Sequence, residues 1–399
     1  MAATTLDLPN ADASPARAAA TPRALERLAS IDVLRGVVIV LMALDHVRDY
    51  FTSARFDPLD LAQTTPALFA TRWVTHFCAP IFVLLAGTSA YLIAQRMPRA
   101  QVSGFLAKRG IWLVALEFSV VLFAWSFRID YPFGLIMQVI WAIGASMLVL
   151  ALLVHLPTWA VAAIGLALVA GHNLLDPIQP ASFGAWAPLW NVLHVQGPVP
   201  WGFVAYPIIP WIGIMALGYA LGGVFTWEPA RRQRALLLLG AGALAAFVVL
   251  RLVNGYGDPK PWTPQASPLL TFFSFIDVAK YPPSLAYALV TLGPGLIALA
   301  ALECARGPVS VFFETYGRVP LFAYVVHVVL AHLFAVVVAL ATGFGSATLG
   351  IYFTYPPSWG YGLAGVYLVW IVVLAVLYPM CRWFGEVKRR RRDWWLAYL

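Results

Sequence analysis

The chain has 399 residues, 61% of them hydrophobic and only 11% charged, with a formal net charge of +8. Soluble domains carry roughly 25% charged residues, so a water-soluble core is excluded as the home of this much apolar surface, and the bilayer must solvate much of it. The basic excess does not call for nucleic acid, because lysine and arginine gather in alternate loops, as membrane topology requires.

Residues 1–29 are rich in Ala, Pro and Thr and lack an apolar run followed by a cleavage site, the pattern of a disordered cytosolic tail. Ten apolar spans follow, near 30–51, 73–95, 104–127, 133–155, 158–175, 203–225, 234–253, 283–302, 318–342 and 362–384. The expected fold is therefore all-α, a polytopic membrane helix bundle of about ten transmembrane helices filling residues 30–385. Residues 386–399 form a polybasic cytosolic tail whose Lys388–Arg392 run suits contact with membrane lipid headgroups. With the N-terminus inside, 18 basic residues fall on the inner side and six on the outer, which favours N-in and C-in. Two outer loops, 176–202 and 254–282, are long enough either to close over a site or to serve as plain connectors.

The first span, IDVLRGVVIVLMALDHVRDYF, holds Asp32, Arg35, Asp45, His46, Arg48 and Asp49. Charges at the centre of a span cost ~2.5–3.5 kcal/mol each on the insertion scale, so they face the bundle or a watery cavity. At about 100° per residue, Arg35 and His46 lie within about 20° of one line, with Met42 and Asp49 close to it. One face is thus a polar stripe about 16 Å long. A cation at the mouth can hold an anion and an imidazole deeper in can take a proton; equally, Arg35 can snorkel and His46 can pair structurally. Asp49 or Asp45 is available to orient His46, and Asp49 shares its face better.

In the second span, Arg72 and His76 are a turn apart; Arg72 suits a carboxylate of the first helix, and His76 is a second base or a packing histidine. Glu117 is a mid-span carboxylate that needs a partner. Gln138 either donates to a carbonyl or packs. His172 and Asn173 end the short fifth span, where they cap it or meet an acceptor. Pro207, Pro210 and Trp211 shape a broken helix near the outer mouth. In the ninth span Tyr324 and His327 share a face, and His327 is the candidate to meet His46 across the bundle. His155 and His332 read as structural. Cys78, Cys304 and Cys381 lack paired spacing, and no zinc or haem spacing occurs, so no metal is expected.

Several motifs together resemble a known family. Ile31 to Phe51, TRWVTHFCAPIFVLLAGTSAYL from Thr71, GLIMQVIWAIG from Gly134 and YPIIPWIGIMALGYALG from Tyr206 are similar to the catalytic domain of heparan-α-glucosaminide N-acetyltransferase and its bacterial relatives. KYPPSLAYALVTLGPG from Lys280, GRVPLFAYVVHVVLAH from Gly317 and the terminal KRRRRDWWLAYL extend the likeness along nearly the whole chain. It implies a multi-pass protein of the bacterial inner membrane that moves an acyl group, acetyl above all, from cytosolic acetyl-CoA or another acyl-CoA to an extracytoplasmic, carbohydrate-like acceptor. It also makes a homodimer an expectation.

The bacterial O-acyltransferase branch of the wider superfamily carries Arg, ten residues, then His on its first helix, and Arg35 and His46 match that spacing. In that branch the His is catalytic and the Arg is associated with the acyl-CoA donor. The lysosomal enzyme's histidine lies in the loop after the first span, but residues 52–71 here contain none, so His46 is its natural replacement. Catalysis is expected of His46, with Asp49, Asp45 and His327 around it. The CoA phosphates call for Arg35, Lys108, Arg109 and Arg318, and acceptor contacts for Arg72, His76, Gln138, Trp211 and Tyr324. The other class open to this sequence is a transporter using the same stripe as a solute or proton path, although no internal repeat supports one.

Overall fold

The computed structural model describes residues 29–391 together with Asp393 and Leu396. The tail expected over residues 1–29 lies outside the described residues, apart from Ala29. From there the chain forms α1 (Ala29–Phe51), α2 (Pro66–Trp73), α3 (Cys78–Ala94), α4 (Arg99–Leu116) and α5 (Leu122–Ser126). Strand β1 (Leu135–Met137) precedes α6 (Val139–Leu153), α7 (Thr158–Gly171) and α8 (Ala187–Leu193), and the hairpin β2 (Gly197–Val199) and β3 (Gly202–Val204) follows. The remainder is α9 (Ile209–Leu221), α10 (Pro229–Val253), α11 (Pro268–Ile276), α12 (Leu285–Leu302), α13 (Pro308–Gly317), α14 (Pro320–Ala341) and α15 (Leu363–Arg390).

The fold is mostly helical but not purely so. The two connections before α6 and α9 pair as a three-stranded sheet in the order β1-β3-β2, with β1 parallel and β2 antiparallel to β3. Local apolar periodicity cannot reveal such short strands, because their pairing joins segments far apart in sequence. Each expected span contains helix, although 133–155 opens with β1 before α6 and 203–225 opens in β3 before α9. Among the described residues, seven helices are long and apolar enough to cross a membrane, and α2 and α3 run together as one of them. Helix α1 is outside that set because Asp32, Arg35, Asp45, Arg48 and Asp49 interrupt its apolar sequence; α6, at 15 residues, is short. Helix α15 runs to Arg390, so the expected boundary at 385 falls inside it.

Helix α1 is the centre of the bundle, touching α3, α12, α13, α14 and α15. Val38, Ile39, Ala43 and Val47 are essentially inaccessible. Its closest neighbour is α13, a short helix that the sequence offers only as part of a loop. The approach requires glycine on both sides: a Cβ on Gly36 would overlap the Phe313 carbonyl, and one on Gly317 the Asp32 carbonyl. The outer face of α10 presents Leu237, Leu238, Val249 and Leu252, and α15 presents Leu368 and Ile371, as lipid-facing surfaces do.

The long 254–282 connection is held in place from below. Arg251 donates to the carbonyls of Phe275, Lys260 and Ser274 at 2.8 Å each and to Asp277 at 3.1 Å. One fork of donors thus satisfies four carbonyls of irregular backbone near the membrane boundary. Asp258 completes the staple by accepting from the Ser284 hydroxyl at 2.6 Å and the Ala279 amide at 3.0 Å.

Candidate active site

Packing of α1 against α14 brings His46 Nδ1 to 2.7 Å from His327 Nε2, with the rings nearly parallel. Nδ1 of His327 faces the Ala323 carbonyl at 2.8 Å. A carbonyl only accepts, so that nitrogen carries the hydrogen and Nε2 of His327 keeps the lone pair. Nδ1 of His46 must then donate to it, which leaves Nε2 of His46 as the basic nitrogen. A backbone carbonyl on α14 in this way selects the tautomer of an imidazole on α1. The rings of Trp125 and Tyr324 meet His46 in T-shaped arrangements, with centroids 4.7 and 6.0 Å away, so aromatic groups limit how far the ring can turn.

One turn before His46 on α1 stands Met42, and one turn before His327 on α14 stands Tyr324. Both line a cavity of about 250 Å³. Its walls are apolar, with Phe82, Ala86 and Ala90 from α3, Leu113 from α4, and Ile140, Ile143 and Met147 from α6. Its cationic lining comes from Arg35 and Arg109. Arg35 is fixed by donating to Ser89 Oγ, to the Leu85 carbonyl and to Asp32 Oδ1, the last two at 3.3 Å. The small residues Ala86, Ser89 and Ala90 on one face of α3 make the room.

Toward the other end of α1 a second polar cluster has formed. Arg72 Nη1 donates to both Asp45 oxygens at 3.1 Å, and the Thr75 hydroxyl donates to Asp45 Oδ1 at 2.9 Å. Arg48 pairs with Asp45 at 2.8 Å and with Asp49 at 2.5 Å. Two arginines and two carboxylates therefore neutralise one another where unpaired charge would be costly. Above them the Tyr206 ring meets Tyr281 edge-on at 5.2 Å and Trp211 at 5.3 Å.

The sequence-predicted residues thus divide. His46 and His327 are brought together, and Arg35 and Arg109 share a cavity with Tyr324. Lys108 and Arg318 do not line it: Lys108 is exposed on the neighbouring face of α4, about 100° from Arg109, and Arg318 is exposed and paired with Glu314. Neither Asp45 nor Asp49 hydrogen bonds to His46, because the arginines take both carboxylates; the expected orienting carboxylate is replaced by His327. Arg72 meets Asp45, of the two carboxylates open to it. His76 is buried, with Nδ1 donating to the Trp73 carbonyl at 3.0 Å, and it packs edge-on against Tyr287. Trp211 is wholly buried beneath Tyr206. Gln138 occupies the N-cap position of α6, beside cavity-lining Val139.

Two contributors escaped sequence reasoning, and a third was seen without its partner. Ser89 and Trp125 were hidden among many small and aromatic residues, and only packing singles them out. Glu117 was visible as a buried charge but its partner was not: its Oε2 accepts the Trp141 amide at 2.8 Å, capping the start of α6 beside the cavity.

The sequence model of the family Heparan-alpha-glucosaminide N-acetyltransferase, catalytic, matches residues 27–251, more than half of the chain and all of α1 to α9. Curated proteins give no match to the chain. The matched region carries His46, the Asp45–Arg72 cluster and most of the lining of the Arg35–Arg109 cavity, while Pro320, Leu321 and Tyr324 of that lining, and His327, are supplied from beyond it. The chain belongs to the heparan-α-glucosaminide N-acetyltransferase catalytic-domain family.

Proposed function

We propose that this protein is a membrane acyltransferase that moves an acetyl or similar acyl group from cytosolic acyl-CoA to a hydroxyl or amine of an extracytoplasmic, carbohydrate-like acceptor. The observation that carries this reading is the cavity with two arginines in its lining and an apolar body that ends one helical turn from the His46–His327 pair. Arg35 and Arg109 take the phosphates of the donor, the apolar walls take its pantetheine arm and acyl chain, and the thioester comes to rest beside His46. With the N-terminus inside, the arginine end opens to the cytosol and the acceptor approaches from the Asp45–Arg72 side.

The chemistry follows from the tautomer. Nε2 of His46 removes the proton from the acceptor hydroxyl or amine as its oxygen or nitrogen attacks the thioester carbonyl carbon. The resulting oxyanion collapses, the C–S bond breaks, and the proton on Nε2 passes to the departing thiolate, giving CoA and the acylated acceptor. His327 stabilises the His46 imidazolium in between by accepting from its Nδ1–H.

The test is direct. Acetyl-CoA and CoA should raise the melting temperature of the detergent-solubilised protein. Ala90→Phe, which fills the cavity, should abolish that protection while the protein still folds. His46→Ala should retain the protection and lose acyl transfer. Absence of any CoA effect on the wild-type protein at millimolar concentration would overturn the proposal, as would solute counterflow that proceeds without CoA, the signature of a transporter.

A further inference from the structure

Beyond the α1–α14 site, a second cluster of chemistry-bearing groups forms where α7 ends. His172 lies on the single 3₁₀ turn after α7, Asp176 follows that turn, and His194 closes α8. One ligand atom from each lies within 4.8 Å of the other two. The histidines are 2% and 1% exposed. Among the described residues no hydrogen bond is made by either ring nitrogen of His172, although the Pro283 carbonyl lies near that ring, and Nδ1 of His194 makes none either. Buried imidazole nitrogens left in this state forfeit hydration without compensation.

The surroundings are ordered as a ligand set requires. Asp176 Oδ2 accepts from the Asn173 side-chain amide at 2.8 Å, while Oδ1 is turned to His194 Nε2 at 3.1 Å. Asn173 is itself held, because its Oδ1 accepts the Leu285 amide at 3.0 Å. The carboxylate is therefore oriented by a second contact that leaves one oxygen for the centre of the cluster, as around protein-bound metals. The Asp176 side chain, 22% exposed, provides the way in from solvent.

We infer that His172, Asp176 and His194 bind a divalent transition-metal cation, with Zn²⁺ the best match to two imidazoles and one carboxylate. Such a set leaves a fourth position for water. Metal–ligand bonds of ~2.0–2.2 Å place tetrahedral ligand atoms roughly 3.5 Å apart, so side-chain rotation closes the cluster around the ion. Binding replaces the His194–Asp176 hydrogen bond by two metal bonds, with the imidazole hydrogen of His194 moving from Nε2 to Nδ1. The ion then clamps the α7–α8 connection to the start of α12 through Asn173. Four residues before Leu285 lies Tyr281, which packs on Tyr206 above the Asp45–Arg72 cluster, so the clamp steadies that end of the bundle. The spacing His-x3-Asp-x17-His is too loose to stand out in the sequence, which led to the expectation of no metal.

The measurement is zinc binding to the tag-free protein in detergent. After incubation with Zn²⁺ and desalting, elemental analysis should find one zinc per chain, and Zn²⁺ should raise the melting temperature by several degrees. Co²⁺ in its place should give the visible absorption of a tetrahedral site. Asp176→Asn, which preserves shape and the Asn173 contact, should weaken zinc affinity at least 100-fold, and His194→Gln likewise. A wild-type protein with no bound zinc and no thermal response would overturn the inference. So would zinc binding that is undiminished in both variants, which would place the ion elsewhere.

Discussion

His46 on α1 and His327 on α14, separated by 281 positions in sequence, share a hydrogen bond of 2.7 Å whose direction is dictated by the Ala323 carbonyl. This relationship makes His327 a positioning residue for His46, and that role is separable from packing. His327→Leu should lower kcat about 100-fold, at the low end of general-base effects, with KM for acyl-CoA little changed. His327→Gln should recover part of the loss, because its amide oxygen can still accept from His46 Nδ1, and should shift the acidic limb of the pH–rate profile, where the base gains its proton. Equal activity of the Leu and Gln variants would reduce His327 to a packing residue.

The four cations expected to meet the donor are not equivalent in space. Arg35→Lys and Arg109→Ala should raise KM for acyl-CoA about tenfold or more, the loss of roughly 1.4 kcal/mol per weakened phosphate contact. Lys108→Ala and Arg318→Ala should stay near wild type, since both side chains are exposed and outside the cavity lining. Steady-state kinetics on the four variants decides this. A uniform effect of all four would mean that surface charge near the mouth, not the cavity, recruits the donor.

The Asp45–Arg72 pair predicts a stability effect that is strongly non-additive. Arg72→Met leaves Asp45 with Arg48 and Thr75 alone, and Asp45→Asn leaves two arginines facing each other across one carboxylate. Breaking a buried pair from one side costs about 3–5 kcal/mol. The double variant should lose clearly less than the sum of the singles, because no uncompensated charge remains. Thermal unfolding of the two singles and the double gives the coupling, and simple additivity would show that the pair is not acting as one.

Asp277 lies in the long connection after α11, where burial pushes its carboxyl up to about 6 and its Oδ1 lacks a hydrogen-bond partner. A carboxyl with a folded pKa above its unfolded value binds its proton more tightly in the folded state. Its contribution is therefore fully present below the unfolded pKa near 3.8 and is lost as pH rises through about 6. Asp277→Asn should leave stability nearly unchanged at pH 4 and raise it at pH 8 by about 1–2 kcal/mol, after allowance for partial exposure. Melting temperatures of both proteins across that range provide the check. A variant curve parallel to wild type would show that Asp277 is not ionising against burial.

The polar stripe on α1 was legible from sequence alone. Helical periodicity is a local property, so Arg35, Met42, His46 and Asp49 fall near one line whatever the rest of the chain does. The membrane character and the positions of the long helices follow for the same reason, since apolar length and the energetics of charge in a bilayer are written in contiguous residues. The family likeness, too, was carried by contiguous motifs.

What tertiary structure alone decided is which groups meet. Sequence placed Asp45, Asp49 and His327 all within reach of His46; Arg48 meets both carboxylates from the same helix, and only the packing of α1 against α2 and α14 brought Arg72 to Asp45 and His327 to His46. Lys108 and Arg109 are adjacent in sequence, yet one helical step puts one in the cavity and the other outside it. The small sheet, helix α13 and the His172–Asp176–His194 cluster depend on contacts between distant segments, whose partners are chosen by close packing. Local patterning announces which residues are costly to bury; the fold determines what compensates each of them.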